Sequence, residues 1–162
     1  MMTDIHPQPL TQPAFAPFGD VLSLKDSPDM LINQGLCGRH HDLAQLDFGD
    51  GRAGISLFDA QPRSLPYRLD MVERHPLGSQ AFIPMNLSSF LVIVAADDGG
   101  TPATPQAFLT APGQGINLHR NVWHGVLTPL QAPGVFAVID RIGAGQNLQE
   151  HWFDTPFVIS PP

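Results

Sequence analysis

The stretch Met71–Pro84, MVERHPLGSQAFIP, decides how the rest of the chain is arranged. Glu73, Arg74, His75 and Gln80 surround the segment Pro76-Leu77-Gly78-Ser79. On an extended strand, residues two apart share a face, so Glu73 and His75 point one way and Arg74 the other. Gln80 would face away from them on one straight strand, but a Pro-Leu-Gly turn resets that alternation. The stretch therefore reads as two strands joined by a turn. A carboxylate, an imidazole and a carboxamide can then converge on one small volume, a mixture suited to a divalent metal or to a substrate needing both donors and acceptors.

Outward from this stretch the chain keeps punctuating itself. It has 162 residues, with 15 Gly and 17 Pro scattered along it and 14% charged residues, against roughly 25% in an average globular protein. Few charges and many turn formers predict short strands joined by turns, in a single domain spanning residues 1–162. Phe90–Ala96 is the strongest strand signal, aliphatic and β-branched, yet its seven residues fall far short of a membrane span. A net charge of -7 with no basic run excludes a nucleic-acid surface. The single cysteine, Cys37, cannot close an internal disulfide, and no signal peptide is read at the N-terminus, so a cytoplasmic protein is expected.

In order, residues 1–10 read as an extended lead-in, and Thr11–Phe18 as holding one short helix that ends before Pro17, with Thr11 as N-cap and a proline in its first turn. Strands are predicted at Asp20–Leu24, Ile55–Asp59, Tyr67–Arg74, Ala81–Pro84, Ser89–Ala96, Gln106–Thr110, Ile116–His119, from Trp123, and at Val135–Arg141. Lys25–Gly35 reads as an irregular loop, Asp47–Gly54 as turn-rich and the segment after Gly143 as a tail. About nine or ten short strands with almost no helix fit a closed or nearly closed β-barrel or a jelly roll, which also removes exposed strand edges.

A second stretch, Pro112–Gly125, PGQGINLHRNVWHG, carries His119 and His124 across a turn at Arg120-Asn121-Val122. A histidine opening a strand after a turn sits at a barrel mouth with its ring free to face inward. One such histidine is ordinarily a hydrogen-bonded core residue; two, with Glu73 and His75 upstream, favour a site. Arg120 and Arg141 are the candidate carboxylate anchors, since a guanidinium offers a planar bidentate fork; Arg141 can equally pair with Asp140 or Glu150. Gln80 can bind a metal or hydrogen-bond a substrate carbonyl. Phe82 and Trp123 are candidate pocket walls or core. His40 and His41, being adjacent, cannot both face one pocket.

The order E-x-H-x4-Q on a strand pair, followed by a turn-borne His, resembles the two-motif metal site of cupins. Carried over, the ligands would be Glu73, His75, Gln80 and His124, with Glu73 where a first His is usual and Gln80 in place of a Glu. The wording is more particular still: ERHPLGSQAFIP, FLVIVA, GQGINLHRNVWH and VFAVIDRIGAGQNLQEHWF, with FAPFGDV and RHHDLA earlier, resemble the ureidoglycolate lyase family of the allantoin pathway. Departures are confined to Leu118, Asn121 and Leu148-Gln149, where that family leads one to expect Tyr, Gly and Asn-Cys. The resemblance implies an all-β, cupin-like double-stranded β-helix or jelly-roll barrel with one or two short helices. It implies a divalent metal, with nickel the one associated with the family, no organic cofactor, and a homodimer in which the lead-in or an edge strand is exchanged or paired.

It also implies a substrate, ureidoglycolate, and cleavage to glyoxylate and urea. That reaction needs a base, an acid and a carboxylate anchor, with no redox cofactor or covalent nucleophile. Glu73 or His124 is the candidate base, His119 or His75 the candidate acid, and Gln80, Arg120, Arg141, Phe82 and Trp123 the candidate substrate contacts. The rival readings are another metal-dependent cupin enzyme acting on a small carboxylate, and a non-catalytic binder of small ligands.

Overall fold

A computed structural model describes residues 1–162. Its strands, in chain order, begin with β1 (Thr3–Ile5), β2 (Gln8–Pro9), β3 (Gly19–Leu22), β4 (Met30–Ile32), β5 (Cys37–Arg39) and β6 (Arg52–Asp59). The middle of the chain gives β7 (Tyr67–Arg74), β8 (Gln80–Pro84), β9 (Phe90–Ala95), β10 (Asp97–Asp98), β11 (Thr101–Pro102) and β12 (Gln106–Leu109). Then follow β13 (Gly115–Leu118), β14 (Trp123–His124), β15 (Thr128–Pro129), β16 (Val135–Ile142) and β17 (Gln149–Ile159). The one helix, α1 (Gln12–Phe15), starts where expected: Thr11 accepts from the Ala14 amide at 3.3 Å, and the first turn holds a proline.

One sheet runs β1-β17-β7-β14-β9-β12-β2, with β15 added against β9; the other runs β3-β13-β8-β16-β6. From β7 onward the chain passes back and forth between these sheets: β8, β13 and β16 lie in the five-stranded one, β7, β9, β12, β14 and β17 in the larger. That alternation rolls the two sheets into the all-β, cupin-like barrel the sequence led one to expect, since each crossing turns the chain over the shared core.

The core explains why the strands lie where they do. All six residues of β9 are buried, and they divide by parity. Phe90, Val92 and Val94 meet Phe82, Ile116, Leu118, Phe136 and Val138 between the sheets. Leu91, Ile93 and Ala95 meet Leu69, Trp123 and Ile159 on the outer side of the larger sheet. Each such large side chain contributes about 1.5–3 kcal/mol on burial, so a one-residue slip of β9 would exchange two entire packing sets.

Three local differences from the sequence expectation have physical causes. The tail contains an 11-residue strand, β17, that continues past Pro156 because its register shifts between Trp152 and Phe157, leaving the proline outside the regular ladder. The segment expected to be irregular carries β4, which pairs with β5 in a small hairpin turned by positive-φ residues Asn33, Gln34 and Gly35. The lead-in strands both pair within the chain, β1 along β17 and β2 along β12.

Candidate metal centre and active site

His124 lies opposite Glu73 across the β14–β7 pair and opposite Val94 across the β14–β9 pair. Because Val94 belongs to the core between the sheets, His124 and Glu73 point into the barrel, and Trp123, one residue earlier, points out. His75 follows directly after β7, two residues beyond Glu73, and joins them. Ligand atoms of Glu73, His75 and His124 all lie within 4.8 Å of one another. The two imidazole centroids are 5.1 Å apart.

Each imidazole is fixed from behind. His75 Nδ1 lies 2.9 Å from the Asn147 carbonyl, and His124 Nδ1 lies 2.9 Å from the Gly125 carbonyl. A carbonyl can only accept, so both Nδ1 atoms carry the proton and both Nε2 atoms present a lone pair. Those Nε2 atoms are buried with no hydrogen-bond partner. A buried lone pair left bare costs free energy; two of them beside a carboxylate are the donor set that a divalent, borderline-soft metal accepts, with the carbonyls behind the rings orienting them. The residues present therefore fit a metal.

The site's electrostatics agree. Burial, aided by the neighbouring His75, pushes the His124 imidazole down to about 4 against the pull of the Gly125 carbonyl. It is neutral near pH 7 and available as a ligand. Burial pushes the Glu73 carboxyl up; His75 opposes that rise and Glu150, opposite Glu73 on β17, adds to it.

Gln80 opens β8 opposite Leu118 and Asp140 and shares the core-facing side with Phe82. Its Nε2 donates to Asp140 Oδ2 at 3.2 Å, which leaves Oε1 buried and without a partner. The carboxamide is thereby oriented with its oxygen free. Phe82 packs into the core between the sheets and lines, with His124, a cavity of about 20 Å³. That is room for about one water.

Other expected residues lie elsewhere. His119 alternates with the core residue Leu118, so it sits on the far side of the five-stranded sheet, its Nε2 3.1 Å from Asp20 Oδ2. Asp20 also accepts from Asn117 and from the Gln45 amide. Burial pushes the Asp20 carboxyl up, but these hydrogen bonds outweigh it and hold it below its ordinary value. Trp123 packs outside the barrel, donating to Asp97 at 2.9 Å, with the Arg74 guanidinium 4.2 Å above its ring. Arg141 is buried and spent on Asp50 at 2.6 Å and on the carbonyls of Phe48 and Ala144. Arg120 donates to the Pro76 carbonyl at 2.6 Å and lies 3.8 Å from Asp47.

One residue was not foreseen. Asn147, besides holding His75 through its carbonyl, accepts the Leu77 amide on its side chain at 2.8 Å. It ties the turn after β7 to the segment before β17, and its position in an Asn-bearing loop far along the chain gave no local signal.

A model of the ureidoglycolate lyase family matches residues 2–160. A ureidoglycolate lyase of Rhodobacter capsulatus is 63% identical over 153 residues, covering 94% of this chain and 95% of its own. Ureidoglycolate lyase 2 of Rhizobium meliloti is 51% identical over 154 residues, covering 94% of each chain. The relative from Chelativorans sp. is 50% identical over 163 residues, covering 99% of each.

Proposed function

Because the chain belongs to the ureidoglycolate lyase family, we propose that it cleaves ureidoglycolate to glyoxylate and urea at the cluster of Glu73, His75 and His124. The observation that carries this is the convergence of those groups on one buried volume, with both Nε2 atoms unpartnered. The family match leaves the other cupin enzyme and the non-catalytic binder without support of their own.

Cleavage removes the proton from the carbinol hydroxyl, turns its C–O bond into the carbonyl of glyoxylate, and breaks the C–N bond with the electron pair leaving on nitrogen. One proton must then reach that nitrogen to complete urea. With Nδ1 given to a backbone carbonyl in each, the two neutral imidazoles present acceptors at Nε2. Glu73 is the group placed to do both: half-buried, with its carboxyl raised toward the pH of operation, it takes the hydroxyl proton and returns it to the departing nitrogen. His75, His124 and one oxygen of Glu73 would hold a divalent metal, nickel by the family resemblance, with the free oxygen of Gln80 on the same interior. When bound, the ion supplies Lewis acidity that lowers the hydroxyl pKa.

We read the chain as one cupin-like domain that acts in the cytoplasm: Cys37 is a free, exposed thiol, and no helix is long and apolar enough to cross a membrane. The homodimer is supported by the outer face of the five-stranded sheet. There Ile55 and Ile139 form one row and Leu57, Ala137 and Ile83 the next, with no charged side chain among them. Ile55 is 75% and Leu57 65% exposed. An apolar patch meets itself across a two-fold axis without needing charge complementarity.

Urea release from ureidoglycolate, measured on metal-stripped and metal-restored protein, tests the function. Turnover that disappears on stripping and returns with a divalent metal is the expected result; no urea from either form would overturn it.

A further inference from the structure

Two of the connections that carry the chain from one sheet to the other lie side by side. Pro76–Ser79 leads from Glu73 and His75 to Gln80 at the start of β8, and His119–Val122 leads from Leu118 at the end of β13 to His124. The Asn121 amide donates to the His75 carbonyl at 2.9 Å, which ties one turn to the other. Glu73 lies opposite His124 in the larger sheet, and Gln80 opposite Leu118 in the five-stranded one. Gln80 therefore stands across the barrel from the cluster, at the end where both turns cross. Facing sheets pack about 10 Å apart, so side chains reaching in from both leave room between them for a small planar group. Glu73, His75 and Asp140 are each only half-buried, which opens this end of the barrel to solvent.

The direction of the Gln80 carboxamide is set by Asp140. That residue shares the inner side of β16 with Phe136 and Val138, lies opposite Gln80, and accepts from its Nε2 at 3.2 Å. A carboxylate only accepts, so the amide cannot turn over without setting oxygen against oxygen. This is the one side-chain hydrogen bond of Asp140. No lysine or arginine pairs with it, for the adjacent Arg141 is turned out to Asp50. The bond leaves Gln80 Oε1 buried, unpartnered and directed away from Asp140. A buried acceptor of this kind calls for a donor. Ureidoglycolate brings N–H bonds on both nitrogens of its ureido group.

We propose that Gln80 Oε1 accepts an N–H of the ureido group of ureidoglycolate, and that Asp140 is the positioning residue that keeps this oxygen toward the substrate; this rests on the lyase reading above. Glu73 then works on the hydroxyl from one sheet while the ureido group is held from the other. Urea keeps the same donors after the C–N bond breaks, so it fits this subsite too. Glyoxylate, which has no N–H, does not use it.

The test is steady-state urea release by wild type, Asp140→Ala, Asp140→Asn, Gln80→Leu and the Asp140→Ala/Gln80→Leu double variant. Inhibition by urea and by glyoxylate is measured alongside, and metal affinity of the stripped proteins by calorimetry. Gln80→Leu and Asp140→Ala are each expected to raise the inhibition constant of urea about tenfold, and KM for ureidoglycolate more than they lower kcat, with glyoxylate inhibition and metal affinity within about twofold of wild type. Because Asp140 acts through Gln80, the double variant is expected to lose no more than Gln80→Leu alone. Asp140→Asn can accept from Nε2 or donate to Oε1, so it holds the carboxamide either way round and is expected to fall between wild type and Asp140→Ala. Urea inhibition that stays at the wild-type value in both single variants, glyoxylate inhibition lost along with it, or metal binding weakened in Gln80→Leu each overturns the ureido contact and leaves the lyase reading standing. A wild type that releases no urea overturns the lyase reading, and this contact with it.

Discussion

His124 is 3% exposed, yet it sits in a barrel lined by hydrocarbon with one ring nitrogen satisfied and the other bare. Its depressed pKa has a consequence for the metal-free protein. In the unfolded chain the imidazole takes its proton near pH 6.5, while in the folded protein it resists until about 4. The unfolded state therefore binds more protons between those values, and stability present above pH 6.5 is lost as pH falls toward 4, by about 3 kcal/mol at most. Glu73, raised in the fold, works in the opposite sense as pH rises above 4.5. Urea denaturation of metal-free wild type and His124→Asn across pH 4–7 isolates the histidine: the slope of stability with pH is expected to be shallower in the variant. At the same residue scale, Glu73→Gln and His124→Ala are each expected to cut urea release by about a hundredfold or more. Rates near wild type in both would remove the site.

At the scale of elements, the turn between β7 and β8 depends on a distant segment. Asn147 holds the Leu77 amide with its side chain and the His75 ring with its carbonyl. Asn147→Ala is expected to weaken metal binding, read by calorimetry on the stripped protein, by about ten- to a hundredfold. Asn147→Asp keeps the acceptor and is expected to retain most of the affinity. This is also where the sequence is opaque. Strand parity and the Pro-Leu-Gly turn made Glu73, His75 and His124 legible, because local periodicity fixes which way a side chain points. The same periodicity carries His119 out of the barrel, since it alternates with the core residue Leu118; expecting it beside His124 gives the turn at Asn121, with φ 66°, too much power to reset that alternation. Periodicity could not show that Arg141 clamps a loop, because its partners lie about ninety residues away in sequence. Strand β17 stayed hidden behind Pro156, whose bulge is a property of the pairing.

For the whole molecule, the apolar outer face of the five-stranded sheet is expected to govern association. Leu57→Lys places a charge in that patch and is expected to shift the protein from dimer to monomer in analytical ultracentrifugation, with the circular dichroism unchanged; a wild type that sediments as a monomer would dismiss the interface. The pairing of the first strands bears on something else. β1 finds its partner only at Phe157–Ile159, and β2 only at Phe108–Leu109. A chain emerging from the ribosome with its N-terminus first holds β2 unpartnered until residues 108–109 have been made, and β1 until residues 157–159 have been. Its folding must therefore wait on long loop closures, slow by the measure of contact order, and a nascent chain stalled before β17 should be open to protease at its very beginning.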